Sequence, residues 1–508
     1  MRIEYICHSC LYIETEDTNL VIDPWFKGPA YQNQWQLFPK PVEVGMLKQV
    51  KNILFSHGHE DHLHEESLKE LPIDAQVFYP YQWRTGAKKY FKSMGFNTVK
   101  EAVSFKQYKL SKTLAVTYIG FSLESVIVIE YKDKLIVNIN DALNSHHQTV
   151  VDMFLEKITS LWPKIDMLFA GWSGAGYFPN TLHYKHKNDY EVGVIREQYF
   201  GNHLCKIIQY LKPKMVIPFA PGFVLLSNDK RWINEVKFPR AGFKKYYEKY
   251  FDENTPIKFN VIYPGDYFVN DTFYNVSPYY KKLINGSLLH TIDEEYHKEI
   301  NEINTLKPVP LSEIENLVEL TKKWLNINKQ LYSEIVLKEI RFEIVLKNNF
   351  NFNIIQVAYK NGAFEVGLGD RISPEIPLYI STTSQLLLYS LSNEWGGDAL
   401  TIGYGIDVHI NEESILEKNI DIVSVRLITR YPSAMQQLKL HPLRALKYYL
   451  NNPLLGKLAI IQKFRLKNTI NKFPFNERDH WITFTKCELC NVCNLPLLSK
   501  EFGESLTV

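Results

Sequence analysis

The sequence predicts an α/β protein of two or three domains, with a metal centre at a strand end in the first. Three observations predict it. At 508 residues the chain exceeds what one ordinary hydrophobic core sustains. Short apolar runs of strand length alternate with helical spacing, the pattern of mixed sheets covered by helices. Finally, Val50–Phe55, read as a buried strand, runs into Ser56-His57-Gly58-His59-Glu60-Asp61-His62, three imidazoles and two carboxylates in seven residues.

Composition narrows the class. The 58 basic residues are balanced by 56 acidic ones, which argues against bulk nucleic-acid binding. A hydrophobic content of 45% with 14% aromatics is that of a folded globular chain. The first ten residues, MRIEYICHSC, lack the layout of a secretory leader, and no apolar run approaches a membrane span. Six cysteines (Cys7, Cys10, Cys205, Cys487, Cys490, Cys493) are too few and too uneven for a disulfide scaffold. A soluble, cytoplasmic protein is expected.

The histidine stretch divides its labour by spacing. His57 and His59 stand two apart and share a side; Asp61 and His62 follow on the turn and reach toward a second ion. Neutral imidazoles with an ionised carboxylate suit zinc, iron or manganese. His-x-His-x-Asp-His after a strand resembles the signature of the metallo-β-lactamase superfamily. The resemblance implies a four-layer αββα sandwich and two divalent metal ions.

Taken in order, Arg2–Ile6, Leu11–Glu14 and Asn19–Ile22 read as strands, the third closing on the turn Asp23-Pro24. His8-Ser9 together with Ile22-Asp23-Pro24 resembles the superfamily branch of ascorbate-phosphate lactonases and N-acyl-phosphatidylethanolamine phospholipase D. His8 is read either as a pocket residue or as a structural, hydrogen-bonded histidine. Trp25–Gln36 is a loop rich in Gly, Pro, Trp and amides, read as a binding loop or as one whose aromatics pack on the sandwich. Its place before the histidines resembles the CMP-N-acetylneuraminate hydroxylase family, as do Phe169-Ala170-Gly171, Phe178-Pro179 and Pro218–Phe223.

Leu63–Leu71 and Trp83–Met94 have helical spacing around a strand at Ala75–Tyr79. Ser125–Tyr131 and Leu135–Asp141 form a hairpin about Lys132-Asp133-Lys134. Asp141 ends it, where the superfamily resemblance implies the carboxylate shared by both metals. Asp166–Pro179 is a strand opening into a glycine-rich loop; with no Lys-Ser/Thr following, it is not a nucleotide P-loop. The metal domain is expected to span 1–275 and a helical connector 276–341, broken at Lys307–Pro310. An α+β domain follows at 342–430, similar in strand order to sterol-carrier-like domains. Its last strand is expected at Ala399–Tyr404. Segment 431–508 is basic and helical up to Lys472 and ends in Cys487-x-x-Cys490-x-x-Cys493. With His480 those thiols suit a zinc or iron–sulfur centre, or are buried free thiols.

The chain departs from the hydrolytic members of the superfamily. Two further histidine positions of that pattern fall here on Phe121 and Ala220. Glu124, on the same loop as Phe121, is a candidate oxygen ligand, and His146, His147 and His183 are candidate replacements. The metal set is therefore His57, His59, Asp61, His62, Asp141 and Glu124, with Asp61 and Asp141 the catalytic candidates. Carboxylates in place of imidazoles favour iron, with zinc or manganese as alternatives. The expectation is a metalloenzyme, a di-iron oxygenase or hydroxylase acting on a sugar-nucleotide or related polar metabolite. Electrons would come from a Rieske or ferredoxin-type donor. The alternative is a hydrolase of phosphodiesterase or lactonase type, and a third reading is a degenerate scaffold.

Overall fold

The computed structural model describes residues 1–455 apart from 83–84, 122, 144–147, 187, 238–241, 286–287, 350–352 and 432–437. The cysteine tail with His480, and His146 and His147, lie outside the described residues.

Two sheets face each other. The first has eight strands, running from the edge Thr272–Tyr274 through Tyr267–Val269, Arg2–Cys7, Cys10–Glu14, Asn19–Ile22, Asn52–Leu54 and Gln76–Pro80 to Thr98–Ala102. The second has seven, from Lys258–Phe259 through Met215–Ala220, Met167–Gly171, Lys134–Asn140, Glu124–Tyr131 and Leu114–Phe121 to Gln107–Lys109. Between them lies a core of alternate side chains such as Leu11, Leu54, Phe78, Val116, Ile127, Phe169 and Phe219. The outer face of the second sheet is covered by helices Gln148–Leu161, Asp189–Leu211 and Phe243–Tyr250. The outer face of the first is covered by short helices and by the Trp25–Leu37 segment. Helix, sheet, sheet, helix is the expected four-layer order.

A third sheet, of six strands, holds Arg341–Leu346, Ile354–Lys360, Ala363–Gly369, Leu378–Thr382 and Asp407–Ile410. Its sixth strand, Leu182–Tyr184, comes from the first half of the chain and pairs parallel with Asp407–Ile410. The helices Leu288–Asn304 and Leu311–Asn328 bracket the break at Lys307–Pro310; Leu311–Asn328 packs on the third sheet through Ile314, Leu317 and Leu325.

One element differs in kind from expectation. Ala399–Tyr404 is not a strand: Gly397–Thr401 is a helical turn, and the closing strand is Asp407–Ile410. The run is short and apolar enough to suit either state. Gly403 and Gly405 decide it, because both approach the Ala399 carbonyl too closely for any side chain. The helices at Leu63–Leu71 and Trp83–Met94 are shorter than their spacing suggested, at Glu65–Leu68 and Ala87–Ser93.

All strands that carry the histidine motif and its neighbours end on one rim. There Gly222 presses against the backbone of His8, and a Cβ on it would stand 2.6 Å from the His8 Cα. Gly222→Ala is therefore expected to destabilise the protein by about 1–3 kcal/mol. A thermal melt reads this as a lowered Tm; an unchanged Tm would show that this contact is not tight.

Candidate metal centre

Strand Asn52–Leu54 is buried on both faces, so the chain leaves it at a defined place and direction. His57, Asp61 and His62 are buried on the loop that follows, while His59 is partly exposed. His57 Nε2 and His59 Nδ1 converge to 2.7 Å. Asp141, just past strand Lys134–Asn140, places Oδ2 3.2 Å from His62 Nε2 and 3.8 Å from His57 Nε2. Asp61 Oδ2 lies 3.2 Å from the same His62 nitrogen. Five of the six expected ligands are thus gathered on one rim. Glu124 is half-buried at the head of its strand, across from Phe121, and in neither cluster of converging ligand atoms among the described residues.

The direction of the hydrogen bonds sorts the histidines. Asp23 accepts from the Ser56 amide and hydroxyl, both at 2.7 Å, from the Asn140 amide, and from His62 Nδ1 at 3.1 Å. Because the Ser56 hydroxyl donates to Asp23, it accepts from His57 Nδ1 at 2.9 Å. Both imidazoles therefore carry a proton on Nδ1 and turn Nε2 toward Asp141. His8 runs the other way. Its Nδ1 accepts the Gly222 amide at 2.9 Å, so its proton sits on Nε2 and is donated to Asp61 Oδ2 at 3.0 Å. His8, Asp61 and His62 are close enough to surround an ion, but this tautomer leaves His8 no lone pair for one. His8 is the structural histidine, and it orients a ligand.

Tyr31 completes the support by donating to Asp61 Oδ1 at 2.5 Å. Burial alone would raise the Asp61 pKa, but His62 and His8 outweigh it and hold it well below the usual carboxylate range. Burial drives His57 well below its ordinary value, so it is a neutral imidazole. For His62 burial acts downward too, yet Asp61, Asp141 and Asp23 overcome it and hold the pKa well above normal. His62 Nε2 is buried, faces two carboxylates and makes no hydrogen bond. A divalent cation satisfies that nitrogen and both carboxylates at once, so these residues fit a metal. His8, Asp23, Tyr31, Asn140 and Leu143 all take left-handed backbone angles, with φ between 45° and 73°. Such conformations cluster where a site over-determines the chain.

Sequence reasoning missed most of this support. Asp23 read as a turn residue within a family resemblance, and Ser56, Tyr31 and Asn140 were assigned no role of their own. His203, on helix Asp189–Leu211, donates Nε2–H to the Leu143 carbonyl at 2.5 Å and so braces the segment after Asp141. The aromatics of the Trp25–Gln36 loop are core residues: Trp25 and Trp35 are buried, and Trp35 stacks on Phe223 at 3.5 Å. Phe121 packs edge-on against Phe154 at 4.3 Å, filling the helix-side core rather than the rim.

The sandwich and its terminal-loop centre are the metallo-β-lactamase fold, and residues 2–148 match the family model described as "Beta-lactamase superfamily domain". Beyond that, the chain is 24% identical over 251 residues to the cytidine monophosphate-N-acetylneuraminic acid hydroxylase of Danio rerio, covering 46% of this chain and 40% of that protein. The mouse enzyme of the same name, Mus musculus, is 25% identical over 253 residues, covering 46% and 41%. The chain thus spans about two fifths of the length of these relatives. Among solved structures, CmlA, a diiron β-hydroxylase from Streptomyces venezuelae, aligns with a TM-score of 0.37 and 15% identity over 54% of each chain. An isothiocyanate hydrolase from Delia radicum gut bacteria aligns with a TM-score of 0.36 and 14% identity, over 53% of this chain and 98% of that one.

His183 stands elsewhere, in an ion cluster joining the sandwich to the third sheet. It donates to Asp189 at 2.7 Å and to Asp407 at 2.9 Å; Asp407 also takes Lys230 and Lys347. Burial would raise Asp407, but Lys230, His183 and Lys347 hold it well below its usual range. Burial would lower His183, but Asp189 and Asp407 raise it. The Asp407 contribution to stability is present above the unfolded value near pH ~4 and lost as pH falls through the lower folded one. The His183 contribution is full below about pH 6.5 and lost as pH rises through its raised folded value.

Two measurements follow from this geometry. Asp23→Asn is expected to weaken metal binding by roughly 10–100-fold, read by chelator competition. His8→Phe should keep the wild-type metal stoichiometry, whereas His57→Ala should not. Separately, the Tm difference between wild type and His183→Gln should be largest at about pH 5–6 and shrink on the alkaline side. A pH-independent difference would remove His183 from the ion cluster.

Proposed function

We propose that the chain is a metal-dependent oxygenase of the metallo-β-lactamase fold that hydroxylates a polar metabolite of the sugar-nucleotide kind. The observation that carries the reading is the ligand set. His57 and His59 would hold one ion, Asp61 and His62 the other, with Asp141 between them. The two further histidine positions that the family resemblance implies fall on Phe121 and Ala220, neither of which can bind a metal, so the set would be rich in carboxylate. Such a set suits iron, which when bound supplies the redox chemistry that dioxygen activation requires. The likeness to the curated hydroxylases supports the substrate class. Overall, one oxygen atom of O₂ enters a C–H bond and the other leaves as water, with two protons and two electrons from a separate donor such as a Rieske or ferredoxin-type protein.

The chain's own residues have definite tasks in this reading. Asp23 and Ser56 take the Nδ1 protons of His62 and His57, which leaves Nε2 of each ring to face an ion. His8 and Tyr31 hold both oxygens of Asp61 and keep it ionised, which makes it a firm ligand and a weak base. Trp25, Trp35 and Phe223 pack around the His8 ring that donates to Asp61.

Hydrolysis is the second reading, and it rests on Asp141. Its side chain is 34% exposed, against 5% or less for Asp61, His57 and His62, so it is the group placed to orient a water.

Protein purified without oxygen and tested with a chemical reductant distinguishes the two. The oxygenase reading expects about two irons per chain, product formation matched to O₂ consumption, and loss of both on chelation. Turnover of a phosphodiester or lactone by zinc-loaded protein with no reductant would establish the hydrolase instead.

A further inference from the structure

Helix Pro442–Asn451 packs against the metal sandwich through one side, where Ala445 and Tyr448 are buried. Arg444, beside them, donates Nε–H to the Gln82 carbonyl at 2.8 Å, pairs with Glu101 and stands over the Tyr81 ring at 4.4 Å. The Tyr81 hydroxyl in turn donates to the Arg444 carbonyl at 3.3 Å. Just past the helix, Leu454 and Leu455 pack on the core that contains Phe121 and Phe154. The helix is held along its length, and the direction of its opposite face is fixed with it.

That opposite face is apolar. Leu443, Leu446 and Leu450 stand three and four residues apart, one stripe of a helix, and are 78%, 56% and 71% exposed. Leu440, just before the helix, is 61% exposed. None of the four belongs to a hydrophobic cluster among the described residues. One exposed leucine is ordinary, but a stripe of them aligned away from the anchored side marks an interaction surface. The charge around it has one sign. Lys439 and Lys447 are exposed beside the leucines, while Glu101 is already paired with Arg444. From Tyr431 to Lys472 the sequence has eight Lys or Arg and no Asp or Glu.

We propose that this face is a peripheral docking surface for a membrane containing anionic lipid. The leucines enter the boundary of the acyl chains, and Lys439 and Lys447 meet the lipid phosphates. Charge complementarity selects this occupant. A second copy seated on the same face would bring two acid-free basic stretches together. Residues 456–472 of this chain would do the same, since they carry five of the eight cations. An acidic protein would satisfy the lysines, but leucine is under-represented among the residues that anchor protein interfaces, whereas interfacial helices insert it into lipid. No helix of the described residues is long and apolar enough to cross a membrane, so the contact is peripheral. It does not depend on which reaction the metal centre performs.

Co-sedimentation of the full chain with phosphatidylcholine vesicles that contain or lack phosphatidylglycerol tests this. Binding to the anionic vesicles is expected to be roughly tenfold or more tighter than to the neutral ones, and to weaken with added salt. The double variant Leu443→Ser/Leu450→Ser should lose about tenfold or more of that binding and keep the wild-type Tm, because both side chains already face water. Lys439→Gln/Lys447→Gln, which leaves the leucines in place, should narrow the difference between the two vesicles. The proposal is overturned if the anionic vesicles bind no better than the neutral ones, which leaves an acidic protein as the occupant, or if both double variants bind as wild type does. A lowered Tm or failed folding of the leucine variant would overturn it too, by showing that the chain itself covers the stripe. So would wild-type dimers in sedimentation velocity that the leucine variant lacks, by giving the face to a second copy.

Discussion

The rim of the sandwich depends on one buried carboxylate. Asp23 ends strand Asn19–Ile22 of the first sheet and is 0% exposed. It collects the Ser56 amide and hydroxyl from the neighbouring strand's loop, the Asn140 amide from the second sheet, and His62 Nδ1. One side chain thereby joins both sheets and sets the tautomers of two imidazoles. A buried carboxylate is tolerated only when its lone pairs are this fully used. The loop is thereby tied into the core at Ser56 and His62.

Around that anchor, residues of similar chemistry divide into different roles. His8 and His62 both lie against Asp61, at 3.0 and 3.2 Å, yet His8 gives Asp61 the proton on its Nε2 while His62 anchors its Nδ1 proton on Asp23 and leaves Nε2 to face an ion. The difference comes from what each ring's second nitrogen meets: a backbone N–H for His8, a carboxylate for His62. The same logic explains the departures from the superfamily pattern. Phe121 belongs to the core beneath helix Gln148–Leu161, and Ala220 ends a strand whose continuation, Gly222, packs on the His8 backbone.

The third sheet is not a separate appendage. It takes strand Leu182–Tyr184 from the chain that builds the sandwich, and the Asp407 ion cluster crosses the same junction. Tyr404, in the segment leading to strand Asp407–Ile410, reaches back to Trp35 and Asn180. A cleft lined by Gln34, Asn228, Thr383 and Tyr404 is thus shaped by the sandwich and the third sheet together.

The sequence by itself determined the α/β class, most strand positions, and the four ligand candidates between His57 and His62. Those features are local: period-two apolar runs, turn residues, and side chains fixed by spacing along one loop. Asp141 was a candidate only through the superfamily resemblance, which implies a carboxylate at the end of that hairpin. The tertiary structure alone decided that Ala399–Tyr404 is not a strand, since Gly403 there packs against the Tyr31 side chain from the far end of the sequence, a contact invisible in a six-residue window. It alone decided that Asp23, Tyr31 and His8 serve Asp61 and His62, because those contacts span 30 to 53 residues of chain.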